Sequence, residues 1–160
     1  MPRLTAAGSA YPAPMLDVTQ WFGSETSLAQ LRGQVVMIEA FQMLCPGCIS
    51  YGLPQAQRVH KLFPDVAVLG LHTVFEHHEV TGPAALKVFL DEFGIFFPVG
   101  VDRHDGQRMP VTMRAYELQG TPSTLLVDRA GNLRFTHLGA VPELELGAML
   151  GELRAEPAPA

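Results

Sequence analysis

The chain has 160 residues, 48% of them hydrophobic and 17% charged, and a formal net charge of −5. That length suits one domain able to bury a core without disulfide staples, and two cysteines cannot build a disulfide-rich scaffold, so cysteine chemistry here belongs to a site. Eleven Lys and Arg against sixteen Asp and Glu, with no basic run and no apolar run of membrane-spanning length, exclude nucleic acid and a membrane span as partners.

Residues 1–14 carry Pro2, Gly8, Pro12 and Pro14 without any periodic pattern and read as a flexible N-terminal arm. No apolar stretch follows Arg3, so no signal peptide is read and a cytoplasmic address is expected; a chain trimmed of its leader and given a new Met would read the same. Val35–Phe41 is a short apolar run rich in β-branched residues after Gly33, the pattern of a strand buried on both faces. Cys45-Pro-Gly-Cys48 follows, then a helical stretch to about Phe63 that Pro54 should bend or restart.

Val66–Thr73 reads as a second buried strand, and Pro83 opens a helix whose Leu86, Phe89, Leu90 and Phe93 follow the helical period. Phe97–Val101 is a short strand and Met113–Tyr116 a short helix. Ser123–Asp128 and Leu133–Leu138 flank Arg-Ala-Gly-Asn, which is hairpin-turn chemistry, and a last helix runs from Glu143 to about Leu153. The domain is expected over residues 15–154, with 155–160 a disordered tail. Strands alternating with helices and closing in a hairpin and a helix predict an α/β fold, a central mixed sheet flanked by helices. Sites in such sheets form beyond the carboxyl ends of the parallel strands, where Cys45-Pro-Gly-Cys48 lies.

A Cys-x-x-Cys pair at a strand-to-helix turn suits redox chemistry. The two-residue spacing lets the sulfurs approach bonding distance, and Pro46 falls in the first helical turn, where a missing N–H is harmless. Free N–H groups and the helix dipole favour an anion there, which selects Cys45 as the attacking thiolate and leaves Cys48, one turn inward, as the buried resolving thiol. Two other readings stay open at this point: half of a zinc site, or inert buried cysteines. Zinc needs two further ligands, and the only histidine cluster, His77-His78, lies in a polar segment that reads as a solvated loop.

With these elements in place the chain resembles the thioredoxin superfamily, and within it the TlpA/ResA-like and redoxin branch of thiol–disulfide oxidoreductases. The resemblance runs from about Pro14 to Leu153. It rests on the lead-in Ser27-Leu-Ala-Gln-Leu-Arg-Gly-Gln-Val-Val36, on Phe97-Pro-Val, and on Thr121-Pro-Ser-Thr-Leu-Leu-Val-Asp-Arg-Ala-Gly131. It implies a thioredoxin fold with an N-terminal extension. It also implies a cis bond before Pro122, which would cover the cysteines while the Thr121 backbone pairs with substrate; Pro46 and Gly47 border the same surface.

Glu39, six residues before Cys45, matches the buried acid that thioredoxins place beneath the inner cysteine. In a strand of Val, Met, Ile, Ala and Phe its carboxyl should be desolvated, with a raised pKa, and able to take the Cys48 proton. The opposing expectation is that strand alternation turns Glu39 to solvent or a salt bridge. Phe75–Pro83 and His104–Thr112 exceed a minimal thioredoxin and read as insertions.

The resemblance implies a reaction of Cys45 with a protein or small-molecule disulfide, resolution by Cys48, and a thiol electron donor, with no cofactor and no metal. A second reading is a thiol peroxidase, Cys45 passing through a sulfenic acid that Cys48 resolves, with Arg114 as a charge partner; Gln42 stands where such enzymes carry Thr or Ser. A third is a copper-binding module using Cys45, Cys48 and His137.

Overall fold

The computed structural model describes residues 2–160, so Met1, at the head of the expected arm, lies outside the described residues. Among them, the elements in chain order are β1 (Tyr11–Pro12), β2 (Val18–Phe22), β3 (Val35–Phe41), α1 (Leu53–Leu62), β4 (Val66–His72) and α2 (Pro83–Phe93). They continue with β5 (Val99–Asp102), α3 (Val111–Ala115), β6 (Ser123–Val127), β7 (Asn132–Leu138) and α4 (Glu143–Ala155). The strands form one mixed sheet in the order β1-β7-β6-β3-β4-β5-β2. β3 lies at its centre, parallel to β4 and antiparallel to β6.

Burial of all seven β3 residues follows from that central place. Val35, Met37 and Phe41 pack with Leu53, Ala56 and Val59 of α1, Leu86 and Leu90 of α2, and Leu146 and Leu150 of α4. On the other face Val36, Ile38 and Ala40 pack with Met113 and Tyr116, and with Leu16, Trp21, Leu28 and Leu31. A strand covered on both faces has no solvent side, so alternation cannot expose Glu39.

Pro54 acts as the sequence reading anticipates. The chain enters a helix at Pro46, widens into a π-type turn over Cys48–Gly52, and resumes as α1, with the Leu53 N–H donating to the Cys48 carbonyl. Pro54 has no N–H for the Ser50 carbonyl and its ring crowds that group, which a wider turn relieves. The predicted hairpin turn is closed by Asp128, whose Oδ1 accepts the Ala130 and Asn132 N–H groups at 3.0 and 2.9 Å. Gly131 there has φ +88°, a backbone that favours glycine.

Two strands have no counterpart in the sequence reading. β2 lies at one sheet margin against β5, with its register broken between Val18 and Trp21. β1 lies at the other margin, Tyr11 opposite Leu133 and Pro12 opposite Asn132. The segment expected as a loose arm is thus fastened to the domain. The Arg134 side chain donates to the Thr5 carbonyl at 2.6 Å, the Thr5 N–H donates to the Arg134 carbonyl at 2.7 Å, and the Tyr116 hydroxyl donates to the Pro14 carbonyl at 2.6 Å. The far end is held as well: Glu156 takes an ion pair from buried Arg134 at 2.8 Å, and its carbonyl accepts Arg129 Nη1 at 2.8 Å.

Candidate functional site

β3 ends at Phe41 and delivers the loop Gln42–Leu44 to the start of the helix. Cys45 occupies the N-cap. Its carbonyl accepts the Ile49 N–H at 3.1 Å, the first helical bond, and its Sγ accepts the Cys48 N–H at 3.2 Å. The sulfur therefore does what a Ser or Asp side chain does at a helix start, satisfying an N–H that has no partner within the helix. The Cys45 thiol in turn donates to the Thr121 carbonyl oxygen at 3.5 Å. Cys45 is half-buried and both cysteines are free, whereas Cys48 is fully enclosed.

Burial pushes the Cys48 thiol up, and neighbouring Cys45 adds to that; the Gln42 backbone N–H and the Thr121 side chain oppose it more weakly. Two sulfurs one turn apart thus differ in access: the outer is open to a partner and the inner is not.

Thr121 and Pro122 arrive from the other side, on the loop before β6, and their peptide bond is cis. Pro122 is buried against the turn: a Cβ on Gly47 would lie 3.1 Å from its Cδ, and one on Gly52 would lie 2.8 Å from its Cβ. Gly52 also faces Glu39, where a Cβ would stand 2.5 Å from Oε1. Glycine at position 52 is therefore what lets the turn close over both the acid and the proline.

Glu39 is fully buried, pointing to the face that carries α1. Its Oε2 accepts the Thr124 hydroxyl at 2.8 Å, a pairing set by the register of β3 on β6, while its Oε1 has no hydrogen-bond partner. Burial lifts the carboxyl to about 8, the Thr124 bond pulling the other way. A carboxyl in that range exchanges protons near neutrality.

The structure brings together all seven residues singled out from the sequence: Cys45, Pro46, Gly47 and Cys48 on the turn, Glu39 beneath it, Thr121 and Pro122 against it. It adds two that sequence reasoning missed. Gln42 is buried, its Oε1 accepting the N–H groups of Phe75 at 3.1 Å and Glu76 at 3.2 Å, its Nε2 donating to Thr121 Oγ1 at 3.3 Å. The stretch Phe75–Pro83, read as an insertion, is therefore anchored to the site at its first residues. His72, at the end of β4, is buried beside Phe41 and accepts the Met43 N–H on Nε2 at 3.4 Å; burial lowers it to about 4, so it is neutral.

Arg114 does not face the cysteines. It is engaged by Asp105 and by the Met109 carbonyl. His137 contacts the Ala140 carbonyl at 3.1 Å, and among the described residues no group of three or more His, Cys, Asp or Glu is placed to hold a metal ion. Nor, among them, is any helix long and apolar enough to cross a membrane.

No family model matches the chain. Among curated proteins it is similar to the thiol-disulfide oxidoreductase ResA of Geobacillus kaustophilus (strain HTA426), 24% identical over 152 residues, which cover 94% of this chain and 80% of that one. Among solved structures it superimposes on a thioredoxin-like superfamily protein with a TM-score of 0.91 at 56% identity, covering 92% of this chain and 99% of that one. A thiol-disulfide isomerase from Corynebacterium glutamicum matches with a TM-score of 0.86 at 53% identity, covering 91% of this chain and 98% of that one.

Proposed function

Since the chain belongs to the thioredoxin-like superfamily and is a thiol–disulfide oxidoreductase, we propose that Cys45 is its nucleophile, Cys48 its resolving thiol and Glu39 the base of the resolving step. The observation that carries this reading is the contrast between a half-buried sulfur capping a helix and an enclosed sulfur one turn behind it.

In the reductive direction the Cys45 thiolate attacks one sulfur of a substrate disulfide. A Cys45–substrate disulfide forms, the substrate S–S bond breaks, and the other substrate sulfur leaves as a thiolate. Cys48 then gives its proton to the Glu39 carboxylate and attacks Cys45 Sγ. The Cys45–Cys48 bond forms, the second substrate thiolate leaves, and two electrons have passed from the protein to the substrate. A thiol donor returns them; with an oxidising partner the same steps run backwards.

The Thr121–Pro122 edge is the proposed seat for the substrate backbone, and Pro46 and Gly47 form the floor beside it. The exposed side chain of Leu44, directly before Cys45, offers apolar contact to a polypeptide partner.

Disulfide reduction on an insulin-type protein substrate and peroxide consumption, measured side by side, test the reading. Cys45→Ser should abolish disulfide turnover, and Cys48→Ser should accumulate a trapped mixed disulfide. Peroxide turnover faster than disulfide turnover would overturn it in favour of a peroxidase.

A further inference from the structure

The loop 120–122 is tied to its own hairpin by the Ser123 hydroxyl, which donates to the Gly120 carbonyl at 2.7 Å, and by the Gly139 N–H, which donates to the Pro122 carbonyl at 2.8 Å. Toward the cysteine turn, two further hydrogen bonds reach it among the described residues, both at Thr121. The Cys45 thiol donates to the Thr121 carbonyl at 3.5 Å, and Gln42 Nε2 donates to Thr121 Oγ1 at 3.3 Å. The far end of the Gln42 amide fixes its orientation. The Phe75 and Glu76 N–H groups, donors only, converge on one terminal atom, which must be the oxygen.

The two ties differ in what they survive. The Cys45 bond lasts only while Cys45 holds its proton: a thiolate has none to give, nor has a sulfur joined to a substrate. The Gln42 bond involves no titrating group. We propose that Gln42 is a positioning residue for polypeptide substrates: anchored by Phe75 and Glu76, it keeps the Thr121 edge seated beside the cysteines once Cys45 has given up its proton and with it its hold on that edge. The Thr121 carbonyl is then free to accept a substrate N–H, while the hydroxyl stays clasped. This rests on reading Thr121–Pro122 as the seat for a polypeptide. A disulfide without a peptide backbone makes no use of that edge, so the clasp governs how tightly a polypeptide is held and leaves the exchange chemistry alone.

Single-turnover oxidation of the reduced protein, quenched in acid and read as remaining thiols, separates the two. It is run across concentrations of an insulin-type polypeptide disulfide and of hydroxyethyl disulfide, which has no peptide backbone. Gln42→Leu should raise the half-saturating polypeptide concentration about five- to tenfold, with the limiting rate within about twofold. The rate constant with hydroxyethyl disulfide should stay within about twofold.

Thr121→Val takes away the hydroxyl alone and leaves the anchoring bonds of Phe75 and Glu76 in place, so it tests the clasp even where Gln42→Leu fails to fold. It should raise the half-saturating concentration similarly, and Thr121→Ser should restore it. In the Thr121→Val background, Gln42→Leu should add little. By NMR, one Gln42 side-chain amide proton should exchange slowly in both the reduced and the Cys45–Cys48 oxidised protein.

Equal slowing of both disulfides in Gln42→Leu would mean a general loss of structure at the site and overturn the proposal. So would an unchanged polypeptide half-saturation in Thr121→Val, or loss of the slow Gln42 proton on oxidation. A wild-type protein that shows no saturation and no preference for the polypeptide disulfide would instead sink the Thr121–Pro122 seat itself, and the clasp with it.

Discussion

Glu39 and Thr124 stand opposite each other on β3 and β6, and their side chains share one hydrogen bond of 2.8 Å that leaves the second carboxyl oxygen without a partner. Burial lifts the carboxyl from 4.5 to about 8, so near neutrality most of it holds a proton and the carboxylate that takes the Cys48 proton is the minority form, growing as pH rises toward 8. A carboxyl with a raised folded-state pKa binds more protons folded than unfolded. Its contribution to stability is whole below about pH 4.5 and fades as pH rises to about 8. Glu39→Gln removes that fading, so thermal unfolding scans should show the variant gaining on wild type as pH rises through this window. The same variant should lose most of its disulfide turnover, with the loss in kcat.

His72 has the opposite sign. Its folded-state value, lowered by burial to about 4 from 6.5, makes the unfolded chain the better proton binder, so stability falls as pH drops from 6.5 toward 4. Between about 4.5 and 6.5 the slopes of His72 and Glu39 offset each other; below that range His72 acts alone, above it Glu39 alone. His72→Phe should flatten the acid limb of the stability profile and steepen the net decline between about 4.5 and 6.5. Denaturant melts across pH check it, and an unchanged acid limb would contradict the assignment.

Gly52→Ala places a methyl 2.5 Å from Glu39 Oε1 and 2.8 Å from Pro122 Cβ; the first ends a fully enclosed side chain held by Thr124 through Oε2, and the second belongs to a rigid ring. The turn has to lift off both. Overpacking of this kind costs about 1–3 kcal/mol, which for a chain of this size lowers Tm by roughly 3–10 °C. Disulfide turnover should fall as well, because the displaced groups are Glu39 and the wall beside Cys45. Gly147→Ala, in α4 with nothing within 4 Å of the added carbon, is the control and should be tolerated.

Arg134 is almost fully buried and joins three segments: Asp128 at 3.0 Å, Glu156 at 2.8 Å and the Thr5 carbonyl at 2.6 Å. Removing one partner of a buried ion pair leaves the other charged and unpaired, so Arg134→Met should cost about 3–5 kcal/mol by denaturant unfolding. Amide exchange near Thr5 and Glu156 should rise with it. A loss confined to overall stability, with both ends still protected, would contradict the role of Arg134 as their common tie.

Much of this was legible in the residues. Val35–Phe41 announces a central strand because burial on both faces leaves an unbroken apolar run, and one acid within that run points to Glu39. Cys45, Cys48 and Pro46 declare a helix start by local spacing, and Thr121-Pro122 stands out through its resemblance. Thr124 was not legible as the partner of Glu39, because that pairing depends on the register of two strands 85 residues apart. Gln42 and His72 escaped for a related reason. Each is a polar residue whose meaning lies in backbone N–H groups delivered by another loop, and no local pattern marks such a target. β1 and β2 escaped because a two-residue strand has no period, and an irregular, partly exposed one has little apolar alternation to display.

Those two overlooked strands carry a consequence for the borders of the sheet. One margin of the sheet ends in only two residues, one of them Pro12, which has no N–H to offer. The other margin is interrupted where its ladder slips between Val18 and Trp21. Neither border presents a long, regular row of free donors and acceptors for an incoming strand to extend. Sheet-to-sheet adhesion along the flanks is thereby disfavoured, and with it the growth of one sheet onto another.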